Sequence, residues 1–194
     1  MQELRNLTDA IWINILMVVT SIPIVTVGAA ITAAHDANRR ALQGEAGGVT
    51  RNYFTAFRAN FAKSTALWAV FGITGAALAY AWVVLQITPL LVPKIGLTLV
   101  WIIGFEWVFA LQARFENAVG RTLANAFVFG ISHILLTVGM IVLDAIWVGL
   151  LAACWFLFPQ GLFLLMVMGY GTMILCHIPL LERGFAQYLK SGEE

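Results

Sequence analysis

The sequence predicts an all-α membrane protein: a single domain over residues 1–194, built as a polytopic bundle of about five transmembrane helices. Hydrophobic residues make up 61% of the chain and charged residues only 11%, and the mean hydropathy is +0.88. The 11 basic and 10 acidic side chains are too few to cover a soluble core of this size. The surplus apolar surface is therefore expected to face the lipid bilayer.

Five apolar stretches are long enough to cross a hydrocarbon core about 30 Å thick, which takes about 20 helical residues. Such stretches are helical in lipid because every backbone N–H and C=O needs a partner within the protein. Pro23 removes a backbone hydrogen bond within the first stretch, so we expect a helix kink there. The predicted spans cover residues 10–34, 65–87, 95–113, 126–150 and 161–181.

Residues 50–63 lie between the first two spans and are amphipathic at a helical spacing. Tyr53, Phe57 and Phe61 fall on one side, and Arg51 and Arg58 flank this stripe. We therefore predict an interfacial helix on the cytoplasmic surface, with its aromatic side chains in the bilayer. It would serve either as a membrane anchor or as a docking surface for a partner's cytoplasmic segment.

Basic residues are divided unevenly between the two sides on which five spans would place the loops. Nine Lys and Arg residues fall on one side and two on the other. Because short basic loops of membrane proteins stay in the cytoplasm, this division predicts an N-terminus outside and a cytoplasmic C-terminus.

Four ionisable residues within the spans are candidate functional residues: Glu106, His133, Asp144 and His177. A charge near the bilayer centre is costly and usually has a function. His133 and Asp144 share nearly one helix face, 11 residues apart, or about 16 Å along the axis. We expect His133 and His177 near the cytoplasmic side, Glu106 in the middle and Asp144 near the outside. This order suits either a proton or cation path, or polar contacts that only fix helix packing.

The same spread in depth argues against a four-ligand metal site, and no cofactor is predicted. The chain lacks the serine-hydrolase, zinc-protease, phosphate-loop and dinucleotide motifs, so we do not expect an enzyme. A net charge of +1 gives no reason to expect a nucleic-acid partner. Arg114 and Glu116, at the cytoplasmic end of the third span, are expected either to stay solvated or to reach the interfacial helix or a partner.

Three stretches of the sequence resemble the YesL family of bacterial membrane proteins. They are SIPIVTVGAAITA at residues 21–33, YFTAFRANF at 53–61 running into Leu67-Trp68, and ARFEN at 113–117 followed by Asn125, Ala126 and His133. The family is defined by a domain of unknown function, number 624, and its genes often lie beside those of sugar-uptake ABC transporters. The resemblance implies a multi-pass protein of the bacterial plasma membrane with an accessory role in sugar uptake. It assigns no catalytic residues.

Two functions follow from these observations. The first is an accessory or regulatory protein that contacts subunits of a sugar ABC transporter within the lipid bilayer. The alternative is a small transporter or channel that uses Glu106, His133 and Asp144. Five helices are few for an alternating-access carrier, so this alternative would require a homo-oligomer.

Overall fold

The computed structural model describes residues 2–45 and 47–190, which fold as a bundle of α-helices. The predicted all-α fold class is confirmed. Two short 3₁₀ turns, Ile24–Thr26 and Thr88–Leu90, join neighbouring helices. The helices are α1 (Gln2–Thr20), α2 (Val27–Leu42), α3 (Val49–Val83), α4 (Leu91–Arg114), α5 (Val119–Ser132), α6 (Ile134–Leu157) and α7 (Gly161–Lys190).

Four segments among the described residues are long and apolar enough to cross a membrane. They are Val49–Val83, Thr88–Arg114, Ile134–Leu157 and Gly161–Ala186. Large apolar side chains on these helices are widely exposed, for example Leu135 at 85% and Val92 at 78% of their surface. A contiguous apolar exterior of this extent is the surface that lipid covers. The chain is therefore an integral membrane protein.

The first predicted span, residues 10–34, is not one helix, and that prediction is wrong. In a continuous helix Asn14 and Asn38 would be about 36 Å apart. Both side chains instead bond the backbone of Gly171: Asn14 Oδ1 accepts from its N–H at 3.1 Å, and Asn38 Nδ2 donates to its carbonyl at 3.1 Å. The chain therefore reverses direction between α1 and α2.

Pro23 is the centre of this reversal rather than a simple kink. It has no N–H to continue α1, and it disfavours a helical conformation at Ile22. The Thr26 hydroxyl then donates to the carbonyls of Thr20 and Pro23, which closes the turn. A lone proline in an apolar run is compatible with a kink or with a break, and here the packing of α1 against α2 and α7 favours the break.

Helix α2 is the centre of the bundle. Every residue from Gly28 to Asn38 is buried, and α2 contacts α1, α3, α4 and α7. Its alanines and Gly28 permit the close approach of four neighbours, as small residues do in membrane bundles. The segment expected to face lipid therefore forms the core.

Residues 50–63 form the first part of α3 rather than a separate interfacial helix. Helix α3 has 35 residues, a length of about 52 Å, because no proline interrupts it and α2 packs along it. Tyr53 is fully buried, with its hydroxyl 2.6 Å from the Thr20 hydroxyl. The expected position of this aromatic ring in lipid is thus corrected, whereas Phe61 does stay exposed.

The remaining predicted spans correspond to helices, with one shift. The predicted span 126–150 is interrupted at His133, so α5 packs along α4 and the membrane-crossing helix is α6. The fit of α5 to α4 is close, since a Cβ on Gly130 would lie 2.4 Å from Ile103. Helix α7 contains a break at Gly169, where φ is 47°.

The start of α3, the end of α4 and the C-terminal part of α7 lie at one end of the bundle, which we call the basic end. The indole of Trp12 donates to Thr50 at 2.8 Å, at the start of α3. Glu182 of α7 lies 3.5 Å from Arg114 at the end of α4. Because α1 and α2 reverse, the expected placement of the N-terminus opposite the basic loops loses its basis. The basic end carries Arg39, Arg40, Arg51, Arg58, Lys63 and Arg114.

Candidate functional site

Glu106, Asp144 and His177 meet inside the bundle. One carboxylate oxygen of each acid and a ring nitrogen of the histidine all lie within 4.8 Å of one another. His177 Nε2 is 3.2 Å from Asp144 Oδ1. We call this group the acid–histidine cluster.

Three helices supply the cluster, and their packing buries Glu106 and His177, whereas Asp144 keeps 26% of its side chain exposed. Residues 106–112 of α4 are all buried, so Glu106 faces the interior. The Trp107 indole donates to the Thr137 hydroxyl at 2.9 Å, which joins α4 to α6 two turns before Asp144. Gly184 allows α7 to approach the Trp107 ring, because a Cβ there would lie 2.7 Å from it.

The cluster is buried but poorly hydrogen-bonded. Glu106 retains 7% of its surface and His177 only 1%. Glu106 Oε2, Asp144 Oδ1 and His177 Nε2 all lack an aligned hydrogen bond, the last two despite their 3.2 Å separation. Unsatisfied buried polar atoms are rare, since each costs about 1–3 kcal/mol and more when charged. Such a group is therefore a functional-site candidate.

The predicted layering of ionisable residues by depth is wrong. Asp144 and His177 were placed near opposite faces, but α6 and α7 are antiparallel and bring them together. His133 is separate: it caps the break between α5 and α6. Its ring stacks on Phe129, with centroids 5.6 Å apart, and lies 5.9 Å from Trp107.

A small cavity lies between the cluster and the basic end. His35, Arg39, Arg114 and Glu182 line it together with apolar residues. Its volume is about 20 Å³, enough for about one water molecule. His35 is buried, and its Nδ1 has no hydrogen-bond partner. Polar groups thus continue from mid-bundle toward the basic end.

A polar groove of about 390 Å³ opens at the basic end between α2, α3 and α4. Buried Asp36 holds two arginines there, with Arg39 at 2.8 Å and Arg40 at 2.7 Å. Arg114 lines the groove and reaches Glu182, while Glu116 is exposed on its rim. The groove is lined by Asp36, Arg39, Arg40, Asn60, Lys63, Gln112, Arg114, Glu116 and several small residues.

The sequence did not single out His35, Asp36, Asn14 or Tyr170. His35 and Asp36 directly follow the first predicted span, and a lone asparagine in an apolar run does not indicate which group it bonds. The polar density of residues 35–40, with one histidine, one acid, one asparagine and two arginines, is the signal that a buried site was present.

A family model described as a protein of unknown function, DUF624, matches residues 10–82. These residues are similar to the DUF624 family, and we call them the DUF624 segment. The match confirms the resemblance to the YesL-like family and contains its first two stretches. The DUF624 segment supplies α2 and Asp36 to the groove, whereas the acid–histidine cluster lies beyond it. No curated protein and no solved structure gives a significant match to the chain.

Proposed function

We propose that the protein is an accessory or regulatory component of carbohydrate uptake in the bacterial plasma membrane. It docks on a subunit of a sugar ABC transporter through the polar groove. The groove carries this proposal, because it presents fixed charges of both signs at the membrane surface, where a partner's charged cytoplasmic segment can reach them. The carbohydrate link comes from the YesL-like resemblance.

The proposal requires the groove to face the cytoplasm. The positive-inside rule supports this orientation, because the basic end carries most of the arginines. The same orientation puts the start of α3 and the C-terminal part of α7 on the cytoplasmic side.

A pair of cysteines tests the orientation. In a background without Cys154 and Cys176, we introduce Thr55→Cys in the groove or Thr88→Cys at the opposite end of α3. A membrane-impermeant maleimide is expected to label Thr88→Cys in intact cells and Thr55→Cys only in inside-out vesicles. Labelling of Thr55→Cys in intact cells would contradict the proposal.

Charge reversal at the groove tests the docking. Lys63→Glu is expected to reduce recovery of transporter subunits several-fold in a crosslinking pull-down from native membranes, because it inverts a charge on the docking surface. Arg58→Glu is the matched control: it is an exposed basic residue of the same helix but does not line the groove. Recovery of transporter subunits that is absent, or equally reduced in both variants, would count against groove docking.

The acid–histidine cluster favours a second candidate, a small oligomeric transporter or channel. The sequence predicts that such a function uses Glu106, His133 and Asp144, and we propose that His177 takes the place of His133 because it lies 3.2 Å from Asp144. In proteoliposomes, Glu106→Gln is expected to lower proton or cation flux at least tenfold, whereas His133→Gln should leave it unchanged. Equal flux through wild-type protein and Glu106→Gln would exclude this function.

A further inference from the structure

We propose that the acid–histidine cluster binds one divalent transition-metal ion, with Zn²⁺ as the best match. Glu106 and Asp144 would each supply a carboxylate oxygen, and His177 would supply Nε2. The proposal depends neither on groove docking nor on transport.

The spacing of the three ligand atoms suits a single ion. Zn²⁺ holds nitrogen and oxygen ligands at about 2.0–2.2 Å, so neighbouring ligands of a tetrahedral site are about 3.3–3.6 Å apart. His177 Nε2 and Asp144 Oδ1, at 3.2 Å, already have nearly this separation. All three ligand atoms lie within 4.8 Å of one another, so an adjustment of about 1 Å would bring in Glu106.

Burial gives the cluster a reason to bind a cation. Glu106 and His177 are each more than nine-tenths buried, and one side-chain atom of each cluster residue, namely Glu106 Oε2, Asp144 Oδ1 and His177 Nε2, has no hydrogen-bond partner. Among the described residues, no Lys or Arg forms an ion pair with Glu106 or Asp144. Two adjacent carboxyl groups in a low-dielectric interior cannot both ionise without a counter-charge. A divalent ion would neutralise both and satisfy all three atoms.

The donor types select the class of metal. One imidazole and two carboxylates form a mixed nitrogen and oxygen set, which suits Zn²⁺ and related first-row ions. Mg²⁺ is a poorer match because it prefers near-octahedral oxygen coordination. Three protein ligands leave a fourth position open.

The proposal places the access route of the ion in a cavity that lies next to the cluster. A cavity of about 370 Å³ is lined by Asn14, Trp147 and Tyr170 among apolar residues. The Tyr170 ring lies edge-on to His177, with centroids 6.5 Å apart. Tyr170 thus separates this cavity from the cluster.

Metal titration of the purified full-length protein tests the proposal. Chelator-treated protein in detergent is titrated with Zn²⁺ by calorimetry and with Co²⁺ by visible absorption. We expect one ion per chain, a Co²⁺ spectrum of low coordination number, and no competition from Mg²⁺. Absence of Zn²⁺ binding, or a Co²⁺ spectrum identical to that of the hydrated ion, would overturn the proposal.

Matched variants locate the ion. Glu106→Gln and His177→Gln are each expected to weaken Zn²⁺ binding at least about tenfold, since even loss of an outer-shell partner has that effect. His133→Gln is the control, because it removes a nearby histidine outside the cluster. Zn²⁺ should raise the unfolding temperature of wild-type protein and of His133→Gln but not of the cluster variants. If either glutamine variant fails to fold, Asp144→Asn replaces it. Unchanged affinity in the folded cluster variants would refute the assignment.

Discussion

Asn14→Leu is expected to prevent accumulation of folded protein, because the Asn14 side chain supplies hydrogen bonds to backbone groups on both sides of the break in α7. At Gly169 the helix loses its regular backbone, with φ 47° and ψ −170°. Asn14 Nδ2 donates to the carbonyls of Met166 at 3.0 Å and Val167 at 2.8 Å, and its Oδ1 accepts from the Gly171 N–H. Each buried backbone group left unpaired costs about 1–3 kcal/mol, and a leucine side chain provides neither a donor nor an acceptor in exchange.

Graded substitutions separate this bonding from simple loss of packing. Asn14→Asp keeps an acceptor for the Gly171 N–H, but its carboxyl group in the protonated form can donate to only one of the two carbonyls. Its yield of folded protein should therefore lie between those of wild type and Asn14→Leu. Thr8→Val is the control on the same helix, since Thr8 is exposed and its hydroxyl bonds only to Leu4 within α1. Fluorescence-detected gel filtration and thermal unfolding in detergent measure the series. If all three variants behave alike, Asn14 has no special role.

The same asparagine shows why the first span was misjudged from sequence. Hydropathy reports that a segment avoids water, but it does not distinguish lipid from a protein interior. Residues 10–34 are apolar because α2 is surrounded by four helices and one face of α1 packs on α7. Lipid and the protein interior are both apolar surroundings for these residues. The direction of the chain after Pro23 therefore depends on partners distant in sequence, such as Gly171, which no local sequence pattern specifies.

For a related reason, the sequence predicts the residues of the acid–histidine cluster but not that they meet. Glu106, Asp144 and His177 stood out one by one because ionisable residues in apolar runs are costly. Their convergence could not be read from the sequence, because the predicted depths assumed one span over residues 126–150. The break at His133 moves the crossing helix to Ile134–Leu157, which changes the depth of Asp144. A shift of eight residues is about 12 Å along a helix. An error of that size in the predicted depth makes residues that meet in the structure look far apart in the sequence.

Gly28→Ala is expected to destabilise the protein strongly, although the change adds a single methyl group. A Cβ at this position would lie 2.3 Å from the Ser64 carbonyl oxygen and 2.6 Å from Trp68 Cβ. The carbonyl belongs to the backbone of α3, so relief requires the two helices to separate. That movement would also break the buried hydroxyl contact between Thr32 and Ser64, which is 2.8 Å long. Overpacking of this kind costs about 1–3 kcal/mol, occasionally more.

Gly149→Ala is the control for this prediction, because it makes the same substitution at a helical glycine that has free space around it. Both glycines lie within helices, and replacing glycine by alanine there favours the helix by about 1 kcal/mol. A Cβ on Gly149 would have no atom within 4 Å, so its unfolding temperature should stay the same or rise. Gly28→Ala should fall despite the same gain in helix propensity, because it forces α2 away from α3. A Gly28→Ala protein as stable as Gly149→Ala would mean that the α2–α3 contact is looser than these distances require, and that α2 is not held as the central helix of the bundle.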